Sequence, residues 1–120
     1  MQPTVLIIED DAPILRLFQQ IIRQAGCRPI GHENGKTSLA YLADHTPDLI
    51  LLDLTLPDIS GEALLDHIQS MPHLNQTPVA VVSAHPQVAP SVYSGRVVKI
   101  ITKPVRPSTL LTFITELLQS

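Results

Sequence analysis

A chain of 120 residues has room for one compact domain and not for two, and its 44% apolar and 16% charged residues describe a packed core rather than a disordered segment. The formal net charge of −3 disfavours direct binding of nucleic acid, which needs a basic face to displace counterions, and no apolar run approaches the length of a membrane span. No basic segment precedes an apolar one at the N-terminus, so no secretory signal is visible, and Cys27 as the only cysteine cannot close an internal disulfide. A cytoplasmic protein is expected on these grounds.

Strand-like and helix-like segments alternate along the chain. Thr4 to Ile8 (TVLII) is short, apolar and rich in branched residues, which predicts a buried strand. Ile14, Leu17, Phe18, Ile21 and Ile22 then recur at steps of three and four, one stripe of a helix that Asp11 can cap, Pro13 can open and Gly26 can end. Arg28 to His32 is a weaker strand, placed at an edge by Pro29. Asn34 to Ala43 predicts a helix capped by Asn34, with Leu39, Leu42 and Ala43 inward. Asp48 to Leu52 (DLILL) is a strong buried strand with Asp53 directly after it. Ser60 to Gln69 predicts a helix through Leu64, Leu65 and Ile68. Val79 to Val82 and Val97 to Ile101 are two more strong strands, and the last helix shows Leu110, Phe113, Ile114, Leu117 and Leu118 after Pro107. The histidines lack metal-ligand spacing, and His32, His45, His67 and His73 are expected on the surface.

Strands that are apolar on both faces and alternate with helices imply a parallel sheet covered on both sides. With right-handed crossovers, this predicts an α/β fold: a doubly wound five-stranded parallel sheet, order 2-1-3-4-5, with helices on both faces and one domain over residues 1–120. In such a sheet ligands bind outside the carboxyl ends of the strands. Glu9, Asp10 and Asp11 follow the first strand, Asp53 the third, Ser83 the fourth and Lys103 the fifth, so acids, a hydroxyl and an ammonium converge on one edge. Two like charges about 4 Å apart repel by roughly 4 kcal/mol at an effective dielectric near 20. Hard oxygen donors in that number suit Mg²⁺. An ionised Asp53 could then attack phosphorus, Lys103 could neutralise the transferred group, and Ser83 could donate a hydrogen bond to it.

Four segments together, VLIIEDD, DLILLDLTLPDISG, VVSA and ITKP, resemble the receiver domains of two-component response regulators, and the resemblance spans essentially the whole chain. It implies a phosphorelay signalling domain in which Asp53 accepts a phosphoryl group from a histidine kinase or a phosphotransfer protein. Such a domain catalyses only its own phosphorylation and dephosphorylation. The resemblance also implies Mg²⁺ held by Glu9, Asp10, Asp53 and the backbone carbonyl of Thr55, a cis Lys103-Pro104 bond, and output to a C-terminal domain or a downstream protein. A homodimer stays open.

The pattern is broken in three places. Glu9 stands where Asp is commoner, so its carboxylate is expected to lie deeper. Ile100 replaces the family's frequent aromatic residue, which removes a common partner of the Ser83 shift. Between Ser83 and Lys103 the run HPQVAPSVYSGR carries Pro86 and Pro90, which predicts a fourth helix that is short or irregular, and His85 is placed to screen water from a phosphoryl group. The altered segment keeps a second function open, a receiver-like interaction module with little dependence on phosphorylation. A haloacid-dehalogenase-type phosphatase would need a second Asp where Thr55 stands. A flavin site would need a Gly-rich phosphate loop where this chain has acids.

Overall fold

The computed structural model describes residues 2–84 and 97–119. Its five strands are β1 (Thr4–Ile8), β2 (Arg28–His32), β3 (Leu49–Asp53), β4 (Val79–Ser83) and β5 (Val97–Thr102). All neighbours are parallel, as the alternation of strands and helices predicts, and the order β2-β1-β3-β4-β5 is the one expected of a flavodoxin-like sheet. The described helices are α1 (Ala12–Gln24), α2 (Gly35–Leu42), α3 (Gly61–Gln69) and α4 (Pro107–Leu118), with a single 3₁₀ turn at Pro72–Leu74. None is long and apolar enough to cross a membrane.

The sheet divides the core into two layers. Val5, Ile7, Leu49, Leu51, Ala80 and Val82 point toward α1 and α4. Leu6, Ile8, Ile50, Leu52, Val79 and Val81 point toward α2 and α3. Alternation along each strand therefore supplies both layers, which is why β1, β3 and β4 carry no polar residue in their middles. The caps follow the sequence: Asp11 accepts from Ile14 N–H, Asn34 from Thr37 N–H and Ser60 from Ala63 N–H. Gly26, at φ +81°, takes the left-handed conformation that ends α1.

Several expectations are corrected. In α1 the sheet takes Leu15, Phe18 and Ile22 inward, while Leu17 is 39% exposed. Apolar residues at both 14 and 15 make the stripe too wide for its centre to be read from spacing alone. Ala43 is exposed at the C-cap of α2, and Ser38 is buried instead, its hydroxyl donating to Asn34 C=O at 2.8 Å. β3 starts one residue later than expected and includes Asp53, and β4 includes Ser83. β5 is an edge strand in which Ile101 alone is buried. Val97 lies opposite Val79 and Lys99 opposite Ala80, so Val98 is the extra residue of a bulge and turns outward. His32 is half-buried rather than exposed, bonded to Thr37. The expected irregular fourth helix, and with it His85, lies outside the described residues.

Candidate functional site

Parallel pairing brings the strand tips together. Ile8 lies opposite Leu52, so Glu9, one residue beyond β1, faces Asp53 at the end of β3. Asp53 in turn lies opposite Val82, and Ser83 ends β4 opposite Thr102. The N–H of Lys103 donates to Ser83 C=O at 2.8 Å, which carries the lysine to the same edge. The Lys103-Pro104 bond is cis, as the resemblance implies.

Carboxylate oxygens of Glu9, Asp10 and Asp53 lie within 4.8 Å of one another. Glu9 and Asp53 are buried, at 1% and 3% exposure, and Asp10 is exposed. Lys103 Nζ lies 3.0 Å from Glu9 Oε1 and 3.3 Å from Asp53 Oδ2. Among the described residues, Lys103 is the ion-pair partner of the buried Glu9 Oε1. The second oxygen, Oε2, accepts from Asp11 N–H at 3.2 Å, and Asp53 Oδ1 accepts from Thr55 N–H at 3.0 Å.

Burial pushes the Glu9 carboxyl up to about 7, and the neighbouring Asp53 adds to the rise against the pull of Lys103. Burial alone would lower the Lys103 ammonium, but Glu9 and Asp53 outweigh it and hold its pKa above the ordinary value. Two buried acids share one lysine, so ionising both leaves one negative charge without a counter-charge. Three carboxylates with oxygens this close, served by one lysine, fit a Mg²⁺ ion, a hard cation that takes carboxylate oxygens and completes its shell with water or phosphate oxygens.

The structure brings together four of the side chains expected at the site, Glu9, Asp10, Asp53 and Lys103. Ser83 is buried at the adjoining strand tip, and Thr55 lies two residues past Asp53. Glu9 does lie deep, as its extra methylene suggests, but its partner is Lys103. Gly61 ends the loop that follows Asp53. Its N–H donates to Leu54 C=O at 3.1 Å, and a Cβ at this position would overlap the Leu54 backbone. One residue escaped the sequence reading. Asp58, in the same loop, accepts from Gly35 N–H and Lys36 N–H at 2.9 Å each, and the Gly35 bond leads in holding its carboxyl below the usual range. No local spacing announces a partner 23 residues away in sequence.

A doubly wound parallel sheet that gathers three acids and a lysine at one carboxyl edge is a ligand site of the kind such sheets carry beyond their strand ends. Residues 5–115 match the response regulator receiver domain, and the chain belongs to that family. The chain is 34% identical over 84 residues to the polar-differentiation response regulator DivK of Brucella anthropi, covering 70% of this chain and 68% of that protein. Among solved structures, the phosphorylated cyanobacterial phytochrome response regulator RcpA is 28% identical with a TM-score of 0.81, over 97% of this chain and 91% of that one. A receiver domain protein from Methanospirillum hungatei is 26% identical with a TM-score of 0.86, over 97% and 93%. The chemotaxis response regulator CheY4 of Vibrio cholerae shares the fold at a TM-score of 0.90 and 19% identity, over 98% and 100%. This chain is therefore a receiver domain of phosphorelay signalling.

Proposed function

We propose that the domain, over residues 1–120, accepts a phosphoryl group on Asp53 from a histidine kinase or a phosphotransfer protein, in a reaction that depends on Mg²⁺. The observation that supports this most directly is the gathering of Glu9, Asp10 and Asp53 oxygens within 4.8 Å, with Lys103 Nζ 3.3 Å from Asp53.

A carboxylate oxygen of Asp53 attacks phosphorus, a P–O bond forms as the bond to the donor nitrogen breaks, and the imidazole leaves with its electron pair. Asp53 is held for this by Thr55 N–H on Oδ1, which leaves Oδ2 toward Lys103. Lys103 neutralises charge on the transferred oxygens, and the Ser83 hydroxyl donates to one of them. Glu9, Asp10, Asp53 and the Thr55 carbonyl would hold the Mg²⁺, which when bound offsets the negative charge of the acids and of the phosphoryl group. Glu9 also keeps Lys103 protonated and aimed into the site.

The protein so described is a signalling phosphoacceptor, catalysing only its own phosphorylation and dephosphorylation. The new charge on Asp53 biases a surface between two states, which a C-terminal output domain or a downstream protein reads. Incubation with acetyl phosphate, with and without Mg²⁺, followed by intact-mass measurement, tests the proposal. One phosphoryl group is expected with Mg²⁺ and none after chelation. Equal labelling in both samples, or labelling that persists in Asp53→Asn, would refute it.

A further inference from the structure

The first turn of α2 is linked to both halves of the acid site through intermediate residues, His32 on one side and the loop after Asp53 on the other. On one side, Glu9 N–H donates to His32 C=O at 3.0 Å, and the His32 ring bonds the Thr37 hydroxyl in α2 at 2.9 Å. On the other side, Asp58 reaches from the loop after Asp53 and accepts from two consecutive α2 N–H groups, Gly35 on Oδ1 and Lys36 on Oδ2. The next residue of that loop, Ile59, packs so closely on α2 that a Cβ at Gly35 would overlap its Cγ2.

Helix capping alone does not call for this arrangement. α2 has its own cap, since Asn34 Oδ1 already takes Thr37 N–H at 2.9 Å. That local cap takes one N–H of the helix end, and Asp58 takes two more from a distant element of the fold. A carboxylate gripping two N–H groups at once restrains both the position and the orientation of the chain that carries it. The chain so restrained runs from Asp53 through Thr55 to Ser60, the N-cap of α3. Its start is held separately, by Leu54 N–H on Val82 C=O at 3.2 Å. Asp58 and Ile59 therefore fix the far end of the short arc that carries Thr55.

We propose that Asp58 is a positioning residue for the cation site: its two-point grip on α2, with Ile59 seated on Gly35, sets the path of the loop that presents Asp53 and the Thr55 carbonyl to Mg²⁺. This rests on the function proposed above. Asp58 makes no contact with the metal or the phosphoryl group in this account. It acts through the backbone of residues 54–57, as outer partners fix the ligands of other metal sites.

The test is a Mg²⁺ titration of the full chain followed by ¹H–¹⁵N NMR, with the melting temperature measured alongside, for wild type, Asp58→Ala, Gly35→Ala and Asn34→Ala. Asp58→Ala is expected to weaken Mg²⁺ binding by about tenfold, a typical loss for an outer partner of a metal ligand. Gly35→Ala keeps the Asp58 charge but displaces Ile59, and it is expected to weaken binding as well. Asn34→Ala removes the ordinary cap of α2 and is expected to lower the melting temperature with Mg²⁺ affinity held within about twofold of wild type. Asp58→Asn, which keeps one acceptor oxygen, should fall between wild type and Asp58→Ala, and it serves if the alanine variant does not fold. The proposal is overturned if Asp58→Ala weakens Mg²⁺ no more than Asn34→Ala does, which would make Asp58 a second helix cap. It is also overturned if Gly35→Ala binds Mg²⁺ as wild type does, which would make the effect one of charge. Failure of wild type itself to bind Mg²⁺ would instead bring down the function on which the inference rests.

Discussion

The middles of β1, β3 and β4 and the tips of the same strands lie at the same depth but carry opposite chemistry. Val5 to Ile8, Leu49 to Leu52 and Val79 to Val82 are buried and wholly apolar. One residue further along, the chain buries Glu9, Asp53 and Ser83. A buried carboxylate costs stability unless it is paired, and Glu9 and Asp53 have one lysine between them. The middles serve the fold, and the tips oppose it. Residues that oppose folding mark functional sites in proteins generally, and the tips suit the cation and phosphoryl group proposed for them.

Substitutions in the two regions should therefore separate cleanly. The largest effect is expected at the nucleophile: Asp53→Asn should abolish phosphorylation by acetyl phosphate, read by intact mass, while the circular dichroism spectrum stays that of the folded chain. In the middle of β1, Ile7→Ala should cost about 2–5 kcal/mol in urea unfolding, with phosphorylation of the folded fraction retained. At the opposite tip, Lys103→Ala should slow phosphorylation by about 100-fold, the scale of one lost charge-stabilising donor, with Mg²⁺ binding preserved.

The smallest effect is one of pH. The folded Glu9 carboxyl sits at about 7, above its usual 4.5, so in the metal-free protein its contribution to stability is full below pH 4.5 and is lost as pH rises through about 7. Urea unfolding in chelator should show stability declining across that window, by at most about 3 kcal/mol. Glu9→Gln should flatten the decline. The stabilisation given by Mg²⁺ should grow over the same range, because the ion displaces the proton. Stability that rises between pH 5 and 7 without metal would contradict this ordering.

The two regions were not equally legible. The unbroken apolar runs TVLII, LILL and VAVV read as strands buried on both faces, their alternation with helices implied a parallel sheet, and the order followed from the flavodoxin-like arrangement of such sheets. The tips were legible because any polar residue directly after such a run must lie on the carboxyl edge. What could not be read depends on contacts between distant elements. Leu17 and Leu15 compete for the same helix stripe, and the sheet, not the spacing, chooses Leu15. Val98 faces outward because of a bulge that its own sequence does not encode. Glu9 and Lys103 are far apart in the chain, so their ion pair had no local sign. Asp58 looked like any turn residue, since its partners Gly35 and Lys36 belong to another loop-helix junction.

The most direct test of the central claim is to locate the label chemically. After incubation with acetyl phosphate and Mg²⁺, sodium borohydride reduces an aspartyl phosphate to homoserine, and peptide mass mapping then finds the altered residue. The account predicts homoserine at position 53 in the Mg²⁺ sample and at no position after chelation. A reduced acid elsewhere in the chain, or none in a sample that has gained phosphoryl mass, would contradict it.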